Sequence, residues 1–187
     1  MKPWSATRRL WIYRSLGMLL TAAAVHLAAV WATPRLIMHK VMTTLTVPAV
    51  QPVRGAVFPP AVDATSRRVV MPSPDLLYSL CVYDLSKGPL RITAQPALQT
   101  YWSVALYADN SDNFFVQNDR QTGKGAVDLW LVSEGANAAA PPVPAGSRVV
   151  VSPSRRGLLL MRVLTADYEA EKARIEPARR TLRCEPA

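Results

Sequence analysis

Three residues close together in this sequence, Asp75, Tyr78 and Ser79, are its densest group of side chains that could do chemistry. A carboxylate can act as a general base or as an oxygen ligand, and a hydroxyl can act as a nucleophile or a proton donor. The same residues could be structural, with Asp75 capping the turn after Pro74 and Tyr78 bonded to a neighbouring strand. Asp75, Tyr78 and Ser79 are therefore candidates for a ligand or active site, while no catalytic residue is assigned.

A second polar cluster, Asp109-Asn-Ser-Asp-Asn113, adds Asp112 and Asn113 as candidate site residues. Carboxylate and amide oxygens are ligands that suit calcium. An EF-hand loop would need Gly at its sixth position and Glu at its twelfth, where this sequence has Phe114 and Arg120. An Asx-rich turn between strands explains the cluster equally well. The sequence therefore assigns no metal and no cofactor.

Familiar catalytic arrangements are missing from the sequence. His39 is the only histidine in the long C-terminal part, and it is distant in sequence from every candidate serine, so no histidine is placed to accept a serine proton. A Ser-Lys pair with Lys87 or Lys124 is not excluded, but no spacing supports one. The two His and two Cys are too dispersed for a usual zinc site. These features favour a non-catalytic protein over an enzyme.

The two cysteines, Cys81 and Cys184, are candidates for a disulfide between an early strand and the C-terminal tail. An even pair in an oxidising compartment favours a bond. Closing a loop of this length would stabilise the fold by about 3–5 kcal/mol. Alternatively, Cys81 is a small buried apolar residue and Cys184 is a free thiol.

The compartment is indicated by residues 15–33, which are 19 residues without Asp, Glu, Lys or Arg. As a helix they would span about 28 Å, close to the thickness of a bilayer core. Four cations precede the segment and two follow it closely, which favours a cytoplasmic N-terminus. We predict a cytoplasmic tail over 1–14, a single-pass anchor over 15–33 in a bacterial inner membrane and a periplasmic C-terminal part. A cleaved signal peptide would deliver that part to the same side.

The net charge of +9 does not indicate a nucleic-acid-binding surface. Six cations and no acidic residue lie in the first 40 residues, and the last 22 residues hold five cations and five acidic residues. The pairs of adjacent arginines beyond residue 40 are scattered along the chain and have no aromatic residues between them. We therefore expect no nucleic-acid partner. The lipid bilayer, with its anionic headgroups near the anchor, is an expected partner.

Beyond the anchor, the pattern predicts a mainly β protein. A short juxtamembrane helix and a Pro-rich linker are expected over 34–66, followed by an extracytoplasmic β domain over 67–187. About seven or eight short strand-like segments are separated by turn signals, and Asp167 can cap a late helix that would end at Pro177. This order predicts an antiparallel β-sandwich or partly open barrel with one N-terminal transmembrane helix and a short C-terminal helix.

Motifs between Pro72 and Arg120 resemble a known bacterial family. They are Pro74-Asp-Leu-Leu-Tyr-Ser79, Tyr83-Asp-Leu-Ser86 with Gly88-Pro89, Tyr101-Trp-Ser-Val104 with Tyr107, and Asp112-Asn-Phe114. Together they resemble the family called domain of unknown function 1254, and the likeness extends loosely through residues 143–163. One departure is that the Asn-Arg pair before the aspartate is Ser73-Pro74 here, so no role of that pair carries over.

The resemblance implies a fold and a location more than an activity. In longer members of the family this domain is followed by a second β-rich half. The resemblance therefore implies that a second membrane-anchored β-rich protein is the partner of this chain. We expect a non-catalytic subunit or cell-envelope interaction module. The alternatives are an envelope-acting enzyme or a small-ligand binding domain with a site near residues 75–79.

Overall fold

The computed structural model describes residues 5–46, 55–63, 65–67, 72–122, 126–134 and 143–187. Two features considered from the sequence lie outside these ranges: residues 47–54 and 64 of the expected Pro-rich linker, and Lys124. The chain divides into two units, Met1–Leu36 and Ile37–Ala187, and each is described by itself.

A single helix, α1 (Ala6–Leu45), contains the predicted anchor and is long and apolar enough to span a membrane. The helix runs through Pro34 and does not stop for a separate juxtamembrane helix. Proline removes one backbone donor from a helix. Near this point the side chains of Thr33 and Arg35 donate to the carbonyls of Ala29 and Trp31, at 2.7 Å in both cases.

The second unit contains two four-stranded sheets, with strand orders β1-β7-β3-β4 and β6-β5-β2-β8. The strands are β1 Leu76–Asp84, β2 Leu90–Ala94, β3 Trp102–Ala108, β4 Asn113–Asn118, β5 Val127–Ser133, β6 Arg148–Ser152, β7 Arg156–Leu164 and β8 Arg183–Pro186; the other elements are a 3-10 turn Leu85–Lys87, α2 Asp119–Thr122 and α3 Tyr168–Arg179. All pairs are antiparallel except β5 with β6. The predicted mainly β fold is confirmed as a sandwich, and neither sheet closes into a barrel within the described residues.

One apolar core lies between the two sheets. In β1 every second residue is buried, which is the period of two that a strand imposes. The core residues include Leu77, Tyr83, Val104, Leu106 and Met161 from the first sheet and Ile92, Leu129, Leu131 and Val150 from the second. The disulfide between Cys81 and Cys184 connects β1 to β8 and hence one sheet to the other, with the Cα atoms 6.5 Å apart. This is the pair that the sequence offers as a disulfide candidate.

The first sheet also buries part of its outer face. Met38 and Met42, near the end of α1, pack on outward residues of β1 and β7, including Leu80, Val82 and Leu158. Burial on both faces explains why β3 and β7 are apolar almost without alternation.

Strand β1 is at the edge of its sheet, and other parts of the chain occupy that edge. Val57 exchanges two backbone hydrogen bonds with Leu80, with N···O distances of 2.7 and 2.9 Å. Arg179 Nη1 donates to the Tyr78 carbonyl at 3.0 Å. The Arg179 side chain is 2% exposed and its Nη2 lies 2.6 Å from Glu176 Oε1. These contacts satisfy backbone groups that an open edge strand would present to other chains.

Helix α3 differs from the prediction at its C-terminal end. Asp167 caps its start as expected, because Asp167 Oδ1 accepts from the Ala170 amide at 3.2 Å. The helix then continues past Pro177 to Arg179, so the predicted end at Pro177 is wrong. The buried contacts of Arg179 hold this last turn, and a proline there removes only one backbone hydrogen bond. The last strand occupies Arg183–Pro186.

The buried guanidinium predicts a large cost for one substitution. Arg179→Ala should lower the free energy of unfolding by about 3 kcal/mol or more, because it leaves the Tyr78 carbonyl and Glu176 without a buried partner. Urea unfolding of the full-length protein in a neutral detergent, followed by tryptophan fluorescence, measures the change.

The adjacent Arg180 provides a matched control. It pairs with the same Glu176 at 3.1 Å, but its side chain is 53% exposed. Arg180→Ala should therefore cost less than about 1 kcal/mol. Equal losses for the two variants would contradict the structural role assigned to Arg179.

Candidate functional site

The structure does not bring the side chains of Asp75, Tyr78 and Ser79 together. Asp75 is exposed in the turn before β1, where its carbonyl accepts from the Thr165 amide at 2.9 Å. Tyr78 and Ser79 are consecutive residues of one strand, so their side chains lie on opposite faces of the sheet. This arrangement does not form a common binding or catalytic centre.

The surroundings of the Tyr78 and Ser79 hydroxyls indicate structural roles. Tyr78 Oη accepts from the Ser73 amide at 2.9 Å, so it holds the preceding turn rather than a neighbouring strand. Ser79 is 1% exposed and faces the core, and its Oγ has no hydrogen-bond partner among the described residues. A nucleophile needs an adjacent base and access to substrate. The surroundings of Ser79 supply neither.

Asp112 and Asn113 build the turn between β3 and β4. The Asp112 amide donates to Asn110 Oδ1 at 3.1 Å, and Asn110 Nδ2 donates back to Asp112 Oδ2 at 2.5 Å. Asn113 Nδ2 donates to the carbonyls of Leu106 and Phe115, at 3.1 and 3.3 Å. In the part of the chain that the structure describes, no group of three or more His, Cys, Asp or Glu could hold a metal ion.

The motif Tyr83-Asp-Leu-Ser86 is also part of the framework. Asp84 Oδ1 accepts from the Ser86 amide at 3.0 Å and caps the 3-10 turn. Hydrogen bonding from Ser86, aided by the nearby charge of Arg156, holds the pKa of Asp84 below its usual value. Gly88 follows this turn with a φ of 133°, a conformation that favours glycine.

Tyr83 anchors a short chain of polar groups that reaches the surface. Its buried Oη lies 3.1 Å from the Tyr107 carbonyl and 3.0 Å from Ser152 Oγ, which in turn donates to the Ser154 carbonyl at 2.7 Å. Burial raises the pKa of Tyr83. A Cβ at Gly157 would lie 2.3 Å from this Oη, so the arrangement requires glycine there.

The polar chain ends at an open cleft of about 300 Å³. The cleft is lined by Ser133, Glu134, Ser152, Pro153, Ser154 and Arg155. The hydroxyl of Ser154 is engaged within the protein, because it donates to the Arg156 carbonyl and accepts from the Asp109 amide. The cleft therefore has polar walls, but it presents no activated nucleophile.

Exposed apolar residues lie at the edge of the second sheet. Strand β6 pairs only with β5 among the described strands. Val149 and Val151 alternate with the inward residue Val150 and are 50% and 55% exposed. They stand beside Trp130 and Val132 in the register. Trp130 is buried, at 5% exposed, so it is not part of the accessible surface. We call the outward residues Val132, Val149 and Val151 the β6 strip.

The sequence pattern of β6 is typical of a strand, but it does not show that the strand lies at an edge. The alternation of Val149 and Val151 with Val150 carries no information about which strand lies next to it. A parallel partner also needs a long connection, which local turn signals do not reveal. The β6 strip is therefore a property of the topology that the sequence did not predict.

A matched pair of buried serines tests the structural assignment of Ser79. Ser79→Ala should change the free energy of unfolding by less than about 1 kcal/mol or stabilise the protein, because the removed hydroxyl has no partner to lose. Thermal unfolding of the full-length protein in neutral detergent measures the change in stability.

Ser152→Ala is the comparison, since Ser152 is 0% exposed and its hydroxyl is hydrogen-bonded. We expect a loss of about 1–3 kcal/mol. A larger loss for Ser79→Ala than for Ser152→Ala would show that the Ser79 hydroxyl has a role that its surroundings do not indicate.

Comparisons with known proteins show which family and which solved structures this chain is similar to. The sequence model of a family described as "Protein of unknown function (DUF1254)" matches residues 53–186. No curated protein sequence matches the chain. Among solved structures, the VPA0106 protein from Vibrio parahaemolyticus is similar with a TM-score of 0.64 and 13% identity, over 85% of this chain and 37% of that chain. An uncharacterised protein from Burkholderia cenocepacia has a TM-score of 0.44 and 16% identity, over 84% and 40% of the two chains. The chain thus spans about two fifths of the length of these proteins.

Proposed function

This chain belongs to the DUF1254 family of proteins of unknown function, and we propose that it is a single-pass inner-membrane protein whose periplasmic β domain is a non-catalytic subunit or cell-envelope interaction module. Its proposed partner is a second membrane-anchored β-rich protein. The observation that carries this proposal is the β6 strip, in which Val149 and Val151 are exposed on an edge strand.

The membrane placement is supported by the first part of α1. The helix is long and apolar enough to cross a bilayer. Its N-terminal flank carries Arg8, Arg9 and Arg14, and positive charge favours the cytoplasmic side. The disulfide between Cys81 and Cys184 is consistent with an oxidising compartment for the β domain.

The non-catalytic role is supported by the structural contacts that the family-like motifs make. Their polar side chains at Tyr78, Asp84 and Asn113 bind backbone groups of turns and strands. The alternatives, an enzyme or a ligand-binding domain centred on residues 75–79, have less support because those side chains diverge.

The nature of the partner is supported by edge chemistry. An open strand edge can accept a strand from another protein through main-chain hydrogen bonds, and flanking apolar side chains add specificity. The β6 strip therefore suits a β-rich partner.

The proposed orientation predicts the behaviour of reporter fusions. Alkaline phosphatase, which is active only outside the cytoplasm, should be active when fused after residue 187 and inactive when fused after residue 14. A green fluorescent protein at the same two sites should give the opposite pattern. Phosphatase activity at residue 14 but not at residue 187 would contradict the proposed topology.

The proposed partner predicts a specific loss on substitution. Purification of the full-length protein from its native membrane in a mild detergent should bring along a second anchored β-rich protein in near-stoichiometric amount. Val151→Glu should reduce its recovery at least about tenfold, because a buried carboxylate without a partner is costly at an interface. Mass spectrometry of the purified material measures the recovery.

Val116→Glu provides the matched control, because Val116 is also exposed, at 43%, on an edge strand of the other sheet. Its recovery of the partner should equal that of the unchanged protein. A protein that purifies alone, or a similar loss in both variants, would overturn the assignment of the β6 strip as the partner surface.

A further inference from the structure

A row of polar residues crosses the outer face of the first sheet. Tyr78 of β1 and Ser103 of β3 both lie opposite Arg162 of β7, and Ser103 lies opposite Asn118 of β4. Opposite residues on one face of a sheet lie about 5 Å apart at Cβ. The four strands therefore place these groups side by side on an otherwise apolar face.

Arg162 stands at the centre of this row without a charged partner. Its Nη2 donates to Tyr107 Oη at 2.7 Å. None of the ion pairs found among the described residues includes Arg162. A guanidinium has five N–H donors, and within the described residues the only hydrogen bond of this side chain is the one to Tyr107. The other donors of this half-buried side chain are available to water or to an anionic ligand.

The neighbouring hydroxyls add to the excess of donors. Tyr107 Oη uses its oxygen to accept from Arg162, so its own proton remains available. Ser103 is 0% exposed, and its Oγ has no hydrogen-bond partner in the described structure. Buried hydroxyls are normally hydrogen-bonded, so an unbonded one beside a guanidinium that has no carboxylate partner among the described residues points to an acceptor that binds there.

Another outward-facing arginine of the sandwich shows the contrast. Arg91 of β2 makes a two-point contact with Asp128 of β5, with Nη2 to Oδ2 at 2.7 Å and Nε to Oδ1 at 3.2 Å. The hydrogen bond from Arg91 holds the pKa of Asp128 below its usual value. The second sheet thus supplies a carboxylate for its arginine, whereas the first sheet supplies only hydroxyls for Arg162.

We propose that Arg162, together with the hydroxyls of Tyr107 and Ser103, forms an oxyanion-binding site on the outer face of the first sheet. Its ligand carries a phosphate or carboxylate group, which a guanidinium binds through two parallel hydrogen bonds. The site goes beyond the proposed partner function, and it needs no second protein. Met38 and Met42 pack against Tyr107 and hold that side of the site.

The test is titration calorimetry of the purified full-length protein in a neutral detergent at low salt. Inorganic phosphate and acetate are the two probes. We expect saturable binding of at least one of them, and the stronger probe identifies a phosphoryl or a carboxylate ligand. Arg162→Gln should weaken that binding at least about tenfold, because it removes the charge and the fork of donors.

Two further variants keep the result interpretable. Arg183→Gln removes the same charge from an exposed position in β8 and should leave the affinity within about twofold, since screened surface charges contribute little. Tyr107→Phe keeps the ring against Met38 and Met42 but removes the hydroxyl, and it should weaken binding about threefold or more. If Arg162→Gln fails to fold, as judged by circular dichroism, Tyr107→Phe decides the question.

Three results would overturn the proposal. They are a wild-type protein that binds neither probe, an Arg162→Gln variant that binds as the wild type does, and an equal loss in Arg183→Gln. In each case Arg162 would be an arginine whose aliphatic stem covers apolar surface while its head remains in water. These results are independent of whether a partner protein co-purifies, because only the purified chain is titrated.

Discussion

The position of β1 depends on a buried guanidinium, and much of the sandwich depends on β1. Arg179 of α3 fills the edge of that strand by donating to the Tyr78 carbonyl, and Glu176 neutralises its charge. Burial alone would raise the pKa of Glu176, but its hydrogen bonds and ion pairs with Arg179 and Arg180 outweigh this and lower it. With the edge closed, β1 can carry Cys81 to the second sheet and Tyr83 to the polar chain that ends at Ser154.

Several features of this fold follow from local sequence rules. Turn signals and strand-forming segments predict a mainly β domain because they act over a few residues. The disulfide is a candidate from the sequence because there are two cysteines and the C-terminal part is expected to be exported. The end of α3 could not be predicted from local rules. The turn beyond Pro177 is held by a contact between Arg179 and a strand about 100 residues away in sequence. The parallel pairing of β6 is likewise a long-range property.

The candidate site at residues 75–79 shows a further limit of prediction from sequence. Once residues 76–84 are read as a strand, the adjacency of Tyr78 and Ser79 already places them on opposite faces. What the sequence cannot show is where the remaining polar groups meet. Arg162 and Ser103 are 59 positions apart in the chain, and only the register of β3 with β7 brings them side by side. The short motifs supply turn and cap contacts at Tyr78, Asp84 and Asn113, whereas the polar row at Arg162 is assembled from separate strands.

The two outer faces of the sandwich have different chemical character, and this separates the two proposed activities. The face of the first sheet is covered in part by Met38 and Met42. It presents Arg162, which is bonded to the Tyr107 hydroxyl and has no carboxylate partner in the described part of the chain. The face of the second sheet presents an internally neutralised pair, Arg91 with Asp128, and exposed valines at its β6 edge. The shared core lies between them, so a protein docked on the β6 strip would leave the site at Arg162 open to solvent. Binding of an anion and binding of a partner can therefore occur on the same molecule without competing for the same residues.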